Sequence, residues 1–150
     1  MQRRMLSGTY ECSLDSRFRL AIQAKVRDAF DEGAALSLWF EDCVVLAPRL
    51  QWPVIVEQVF GEMNVLNDNQ RWLSRYLHAF TFDHETLDRQ GRVVVPEKLR
   101  QMADLDSKVT VVGAGDYLEL WNPARLDESF EALRREGVSS LGKRIVEAAQ

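Results

Sequence analysis

The sequence predicts an α+β chain in which one β-rich unit occurs twice, with helices between the copies and after the second. Three observations carry this. The first is an internal repeat. Residues 14–27 read Leu-Asp-Ser-Arg-Phe-Arg-Leu-Ala-Ile-Gln-Ala-Lys-Val-Arg, and residues 87–100 read Leu-Asp-Arg-Gln-Gly-Arg-Val-Val-Val-Pro-Glu-Lys-Leu-Arg. The register is constant: Asp15 falls on Asp88, Arg19 on Arg92, Ile22 on Val95, Lys25 on Lys98 and Arg27 on Arg100. Such self-similarity outranks any local reading. The second observation is Val93-Val94-Val95 followed by Pro96. A β-branched run suits a strand, and proline suits the start of a helix. The third is the helical spacing of apolar residues in the stretch that separates the copies.

The elements follow in order. Residues 9–14 alternate, with Tyr10, Cys12 and Leu14 against Glu11 and Ser13, as a half-buried strand does. A polar turn spans 15–19, residues 20–22 form a second strand, and 25–30 form a short helix facing inward through Val26, Ala29 and Phe30. Gly33 is placed to cap that helix. Residues 36–40 and 44–46 read as a hairpin across Glu41-Asp42, and Pro48 closes the unit. Trp52, Ile55, Val56, Val59 and Phe60 give a helix that Gly61 stops. Asn67-Asp68-Asn69 caps another, whose Trp72, Leu73, Tyr76, Leu77 and Phe80 recur at steps of three and four. Packing of both stripes onto the sheets is the plain expectation.

The second copy repeats the plan. A strand at 81–87 leads into the turn at 88–92, the valine strand and a helix through Leu99 and Met102. Residues 108–112 and 117–121 form a hairpin around Gly113-Ala114-Gly115-Asp116. Val44-Val45-Leu46-Ala47-Pro48 matches Leu118-Glu119-Leu120-Trp121-Asn122-Pro123, so the second loop is about two residues longer. Asn122-Pro123 starts a helix with cap and proline in the favoured order, buried through Leu126, Phe130 and Leu133 and ended by Gly137. Residues 138–150 read as a short helix through Leu141 and Ile145, or as a loose tail.

Composition bounds the function. The 150 residues are 46% hydrophobic, which suits a folded globular chain. No apolar run approaches a membrane span, and the N-terminus lacks the apolar stretch of a signal peptide. Cys12 and Cys43 sit far apart and read as free thiols in a reducing cytosol. His78 and His84 lack partners at zinc spacing, and no phosphate loop or nucleophile elbow is present. An enzyme, a cofactor and a small-molecule substrate are therefore not expected. The net charge of −4 runs against nucleic acid, whose phosphates dominate affinity. The arginines, however, cluster: Arg3 and Arg4 at the N-terminus, Arg17 and Arg19 in the first turn, Arg89 and Arg92 in the second.

A tight turn presents arginine as a planar fork that fits phosphate or guanine edges. Asp15 and Asp88 can cap the turns or orient those arginines. The opposing reading is that each Asp–Arg pair pins only its own turn. Two copies at one spacing favour a functional surface.

A repeated Asp-x-x-x-Arg turn with apolar strand, Pro and basic helix resembles the SpoVT-AbrB type of DNA-binding domain. Two copies separated by two helices resemble the MraZ family of bacterial regulators of division and cell-wall genes, over nearly the whole chain. Residues 87–96 are similar to the family's Asp-x-x-Gly-Arg pattern, and Leu-Glu-Leu-Trp-Asn at 118–122 to its second hairpin. The resemblance implies a pseudo-twofold, swapped-hairpin β-barrel with repeats at 8–51 and 82–126, linking helices at 52–80 and a C-terminal helix and tail at 127–150. It implies a ring-shaped homo-oligomer and sequence-specific binding to repeated promoter elements on double-stranded DNA, in the cytoplasm at the nucleoid. The DNA contacts map to Arg17, Arg19, Arg89 and Arg92, with Arg3 and Arg4 in support and Asp15, Asp88 and Gly91 shaping the turns.

The first copy departs from the pattern at two places. Phe18 matches Gly91, and Gln23 matches Pro96. A positive φ at residue 18 would strain phenylalanine; otherwise that turn has another shape, or its aromatic packs or makes contact. Two other functions compete. An oligomeric scaffold of the same fold without DNA binding is favoured by the acidic balance and Phe18. An AbrB-type antitoxin is disfavoured by the duplicated unit and the end at Gln150.

Overall fold

A computed structural model of the chain describes residues 5–149. Among the described residues, eight strands and five α-helices form an α+β arrangement. The strands are β1 (Thr9–Ser13), β2 (Arg19–Ala21), β3 (Ala34–Leu38), β4 (Val44–Pro48), β5 (Phe82–Glu85), β6 (Arg92–Val94), β7 (Lys108–Gly113) and β8 (Leu118–Trp121). The helices are α1 (Trp52–Phe60), α2 (Asp68–Ala79), α3 (Glu97–Met102), α4 (Pro123–Glu136) and α5 (Val138–Ala148).

All pairings are antiparallel. Six strands form one sheet in the order β1-β7-β8-β4-β3-β5, and β2 pairs with β6 in a separate ladder. Each copy's first strand pairs with the other copy's third strand: β1 with β7, and β5 with β3. The second strands pair with each other, as do the fourth. Among the described residues the larger ladder stays open, with β1 and β5 at its edges.

Two apolar clusters explain why the central strands are almost wholly apolar. Leu36, Val44, Leu46, Val109, Val111 and Leu120 face one cluster, together with Leu20 and Val93 of the small ladder and Leu99 of α3. Ala35, Val45 and Ala47 face the other, beneath Trp52 and Ile55 of α1, Leu77 of α2 and Leu126 of α4. With both faces covered, β3 and β4 read as continuous apolar runs rather than alternating ones. Leu36→Ala would cost about 2–5 kcal/mol by the usual sum of transfer and cavity terms. Buried Ser37 is satisfied by Thr81 Oγ1 at 3.0 Å and by Leu77 O at 3.4 Å, which ties α2 to β3.

Helix starts follow the sequence. Asn67 caps α2 by accepting from Gln70 N at 3.1 Å, and Asn122 caps α4 by accepting from Arg125 N at 3.1 Å. Gly61, at φ 54°, ends α1. The short helix of the first copy is a 3-10 helix over Ala24–Phe30, whereas α3 is α-helical. Gln23 and Pro96 enter them with matching backbones, φ −57° with ψ 137° and φ −57° with ψ 143°. The lost proline therefore changes nothing in the entry geometry. Gly33 is not the cap of this helix: Asp31 holds that place, and Gly33 leads into β3.

Two expectations about packing are corrected, and one open choice is resolved. Of the α2 stripe only Leu77 is buried; Trp72, Leu73 and Tyr76 are exposed. Of α4's stripe only Leu126 is buried, and Phe130 is exposed. Residues Val138–Ala148 form a helix, α5, rather than a loose tail, yet it buries no side chain. An amphipathic stripe records that a face is apolar, not what covers it.

Candidate nucleic-acid interface

The 15–19 and 88–92 turns have one local design. Asp15 Oδ1 accepts from Arg17 N and Arg19 N, each at 2.9 Å. Asp88 Oδ1 accepts from Gln90 N and Arg92 N, each at 2.9 Å. Each carboxylate thus acts as an Asx-type cap on its own turn. The second oxygens reach the arginine side chains: Arg19 Nε lies 2.8 Å from Asp15 Oδ2, and Arg92 Nε 2.8 Å from Asp88 Oδ2. Accepted bonds of this kind favour the charged carboxylate. The Arg19 amide, followed by that of Arg17 and the Arg19 side chain, holds Asp15 below its ordinary value of 3.8. The Arg92 amide and side chain, then the Gln90 amide, do the same for Asp88.

The β2–β6 ladder sets these turns side by side. Arg19 stands opposite Val94, and Ala21 opposite Arg92. Each arginine therefore also reaches the other turn's carboxylate, Arg19 Nη1 to Asp88 Oδ2 and Arg92 Nη1 to Asp15 Oδ2, both at 3.5 Å. The four charges form one network across the copies. Arg19 and Arg92 are half-buried ties between the two turns. Arg17, Arg89 and Gln90 occupy the exposed tips, and neither Arg17 nor Arg89 has an ion-pair partner among the described residues. Arg3 and Arg4 lie outside the described residues.

Two further arginines, overlooked as site residues, complete the arrangement. Arg27 donates to Ile22 O through Nη2 at 2.8 Å and Nε at 3.3 Å, while Ile22 N donates to Gly91 O at 2.9 Å. In the mirror arrangement, Arg100 Nε donates to Val95 O at 3.1 Å and Val95 N to Phe18 O at 2.9 Å. Each copy's short helix thus braces the other copy's turn. The signal was present in the sequence, since Arg27 and Arg100 match in register.

Residue 18 breaks the symmetry. Gly91 adopts φ 73° and Phe18 φ 60°, so both turns need a left-handed backbone. A Cβ on Gly91 would overlap the Arg27 guanidinium. At Phe18 the side chain exists, and the Arg100 guanidinium stacks over its ring at 3.6 Å. The first turn therefore keeps the same shape and carries a strained aromatic. Left-handed backbone costs about 1–2 kcal/mol for such a residue. An exposed cation–π contact returns about 0.5–1 kcal/mol. Phe18 as a whole remains 46% exposed.

No group of three or more metal-ligating side chains occurs among the described residues. Cys12 and Cys43 are free, His78 and His84 are exposed, and no described helix is long and apolar enough to cross a membrane. What the fold assembles is an arginine-rich surface built from duplicated turns, the arrangement of a binding protein. Comparison with known proteins says which kind. A family model described as "MraZ protein, putative antitoxin-like" matches residues 80–147. The transcriptional regulator MraZ of Roseiflexus sp. (strain RS-1) is 35% identical over 129 residues, covering 86% of this chain and 89% of that protein. That of Bifidobacterium longum (strain NCC 2705) is 34% identical over 142 residues, 95% of this chain and 93% of that one. That of Pediococcus pentosaceus is 33% identical over 127 residues, covering 85% and 87%. The chain belongs to the MraZ family of transcriptional regulators.

Proposed function

We propose that the paired turns bind double-stranded DNA and that the protein is a sequence-specific regulator acting on repeated promoter elements of division and cell-wall genes. The observation that carries this reading is the charge arrangement of the turns. The only two carboxylates within them, Asp15 and Asp88, are consumed by Arg19, Arg92 and backbone amides. Arg17 and Arg89 are left exposed at the tips for phosphate and base edges. A locally basic surface suffices for DNA although the whole chain is acidic. Arg19 and Arg92, tied to both carboxylates, hold the two tips side by side. Arg3 and Arg4 add phosphate contacts from the N-terminus.

The strand exchange between copies supports reading the eight strands as one swapped-hairpin barrel, with repeats at 8–51 and 82–126, linking helices at 52–80 and a C-terminal helix and tail at 127–150. The uncovered apolar side chains of α2, α4 and α5 support self-association into a ring. The protein works in the cytoplasm at the nucleoid. A titration of duplexes from the gene's own upstream region, against scrambled duplexes across a salt series, tests the reading. Preference for the upstream duplex with a steep salt slope is expected. Equal, negligible binding to both would favour a scaffold of the same fold. Light scattering at micromolar concentration tests the assembly, which a clean monomer mass would refute.

A further inference from the structure

The first turn carries a side chain that its fold does not require. Its backbone sits where the matching turn uses glycine, at φ 60° against 73°. Burial does not account for the phenylalanine, because the residue is nearly half exposed. The ring is nevertheless held in place. The Arg100 guanidinium stacks on it at 3.6 Å, Arg100 Nε is anchored on Val95 O, and Val95 N donates to Phe18 O. Ring and backbone are thus fixed by one segment of the other copy, next to the exposed Arg17. A strained, braced and exposed residue points to function before stability.

We propose that Phe18 is a base-reading residue of the interface, meeting the C5-methyl group of a thymine in the major groove, with Arg100 as its positioning residue. This rests on the DNA-binding reading above. A phenyl ring offers no donor or acceptor, and the thymine methyl is the apolar feature a major groove presents. The second turn has no equivalent: Gly91 has no side chain, and Arg27 fills the space beside it. The two turns therefore read different chemistry, one a methyl group and the other polar edges.

The test is fluorescence anisotropy with the upstream duplex, the same duplex with deoxyuracil for thymine, and a scrambled duplex. Deoxyuracil removes only the methyl. Wild type is expected to bind the thymine duplex about fourfold tighter than the deoxyuracil one for each engaged methyl, the equivalent of about 0.8 kcal/mol. Phe18→Gly should abolish that ratio and leave the salt slope unchanged, because the ring carries no charge. Arg100→Ala should reduce the ratio without abolishing it. A purely structural Phe18 would instead shift all three affinities together and leave their ratios in place. If Phe18→Gly does not fold, Phe18→Asn gives the same comparison, since asparagine tolerates the left-handed backbone. Wild type that prefers upstream over scrambled DNA but ignores the methyl, or a Phe18→Gly protein that keeps the ratio, overturns this inference alone. Wild type that prefers no duplex overturns the DNA-binding reading and this inference with it.

Discussion

Gly91→Ala is the smallest change that should disable a turn. Two costs add. Residue 91 sits at φ 73°, which an L-residue occupies at about 1–2 kcal/mol. The new methyl would also overlap the Arg27 guanidinium, whose donors hold Ile22 O. Displacing that arginine forfeits charged hydrogen bonds of roughly 1.5–3 kcal/mol. Lower entropy of the unfolded chain returns about 0.4–1 kcal/mol. The net expectation is a loss of roughly 2–4 kcal/mol. Urea denaturation of wild type, Gly91→Ala, Arg27→Ala and the double variant forms a cycle that isolates the overlap. In the Arg27→Ala background, Gly91→Ala should cost only the backbone strain less the same entropy return, roughly 0–1.5 kcal/mol. Equal cost of Gly91→Ala in both backgrounds would refute the bracing role of Arg27. A neutral Gly91→Ala would refute the need for a left-handed turn.

The remaining expectations concern charge, acid and thiols. Arg17→Ala and Arg89→Ala should each lower the salt slope of DNA binding by about 0.9 per engaged subunit, with unchanged melting temperature, because both side chains are exposed. Asp15 and Asp88 titrate below the ordinary carboxylate value in the fold, so their stabilisation is complete above that value and is lost as pH falls through the depressed ones. NMR titration of the two carboxyls checks this, and midpoints at or above 3.8 would contradict it. Burial pushes the Cys12 thiol up to about 11 and the buried Cys43 thiol higher still. Alkylation at pH 8 should therefore be slow in the native protein and fast in urea, followed by mass spectrometry.

Much of this was legible in the sequence, and the remainder failed for identifiable reasons. The constant register of Asp15 with Asp88 and Arg19 with Arg92 exposed the repeated turns. Local chemistry located the caps at Asn67 and Asn122, because a side-chain acceptor before a helix acts within three residues. The exchange of β1 and β5 between copies was not readable from period-two alternation, which says which side chains share a face and nothing about which strand lies alongside. The exposure of Trp72 and Phe130 was hidden for a related reason: apolar spacing looks the same whether a sheet or another molecule covers the face.

The cross-copy ties at the site were hidden by the same non-locality, and they alter what the duplicated motif means. Read along the chain, Asp15 with Arg19 is a self-contained pair. In the fold, the β2–β6 ladder makes Arg19 a partner of Asp88 and Arg92 a partner of Asp15. Ile22 and Val95, whose carbonyls Arg27 and Arg100 hold, donate their amides to Gly91 O and Phe18 O of the opposite turns. Neither turn is therefore complete within its own copy. A perturbation in one copy, such as the loss of Arg27, acts on the turn of the other. That coupling lets the chain keep Phe18 at a position suited to glycine: Arg100 and Val95, both from the second copy, hold the strained turn in the shape that its counterpart adopts. Duplication followed by exchange thus frees the two turn tips to differ, with Arg17 and Phe18 on one and Arg89 and Gln90 on the other, over a shared frame.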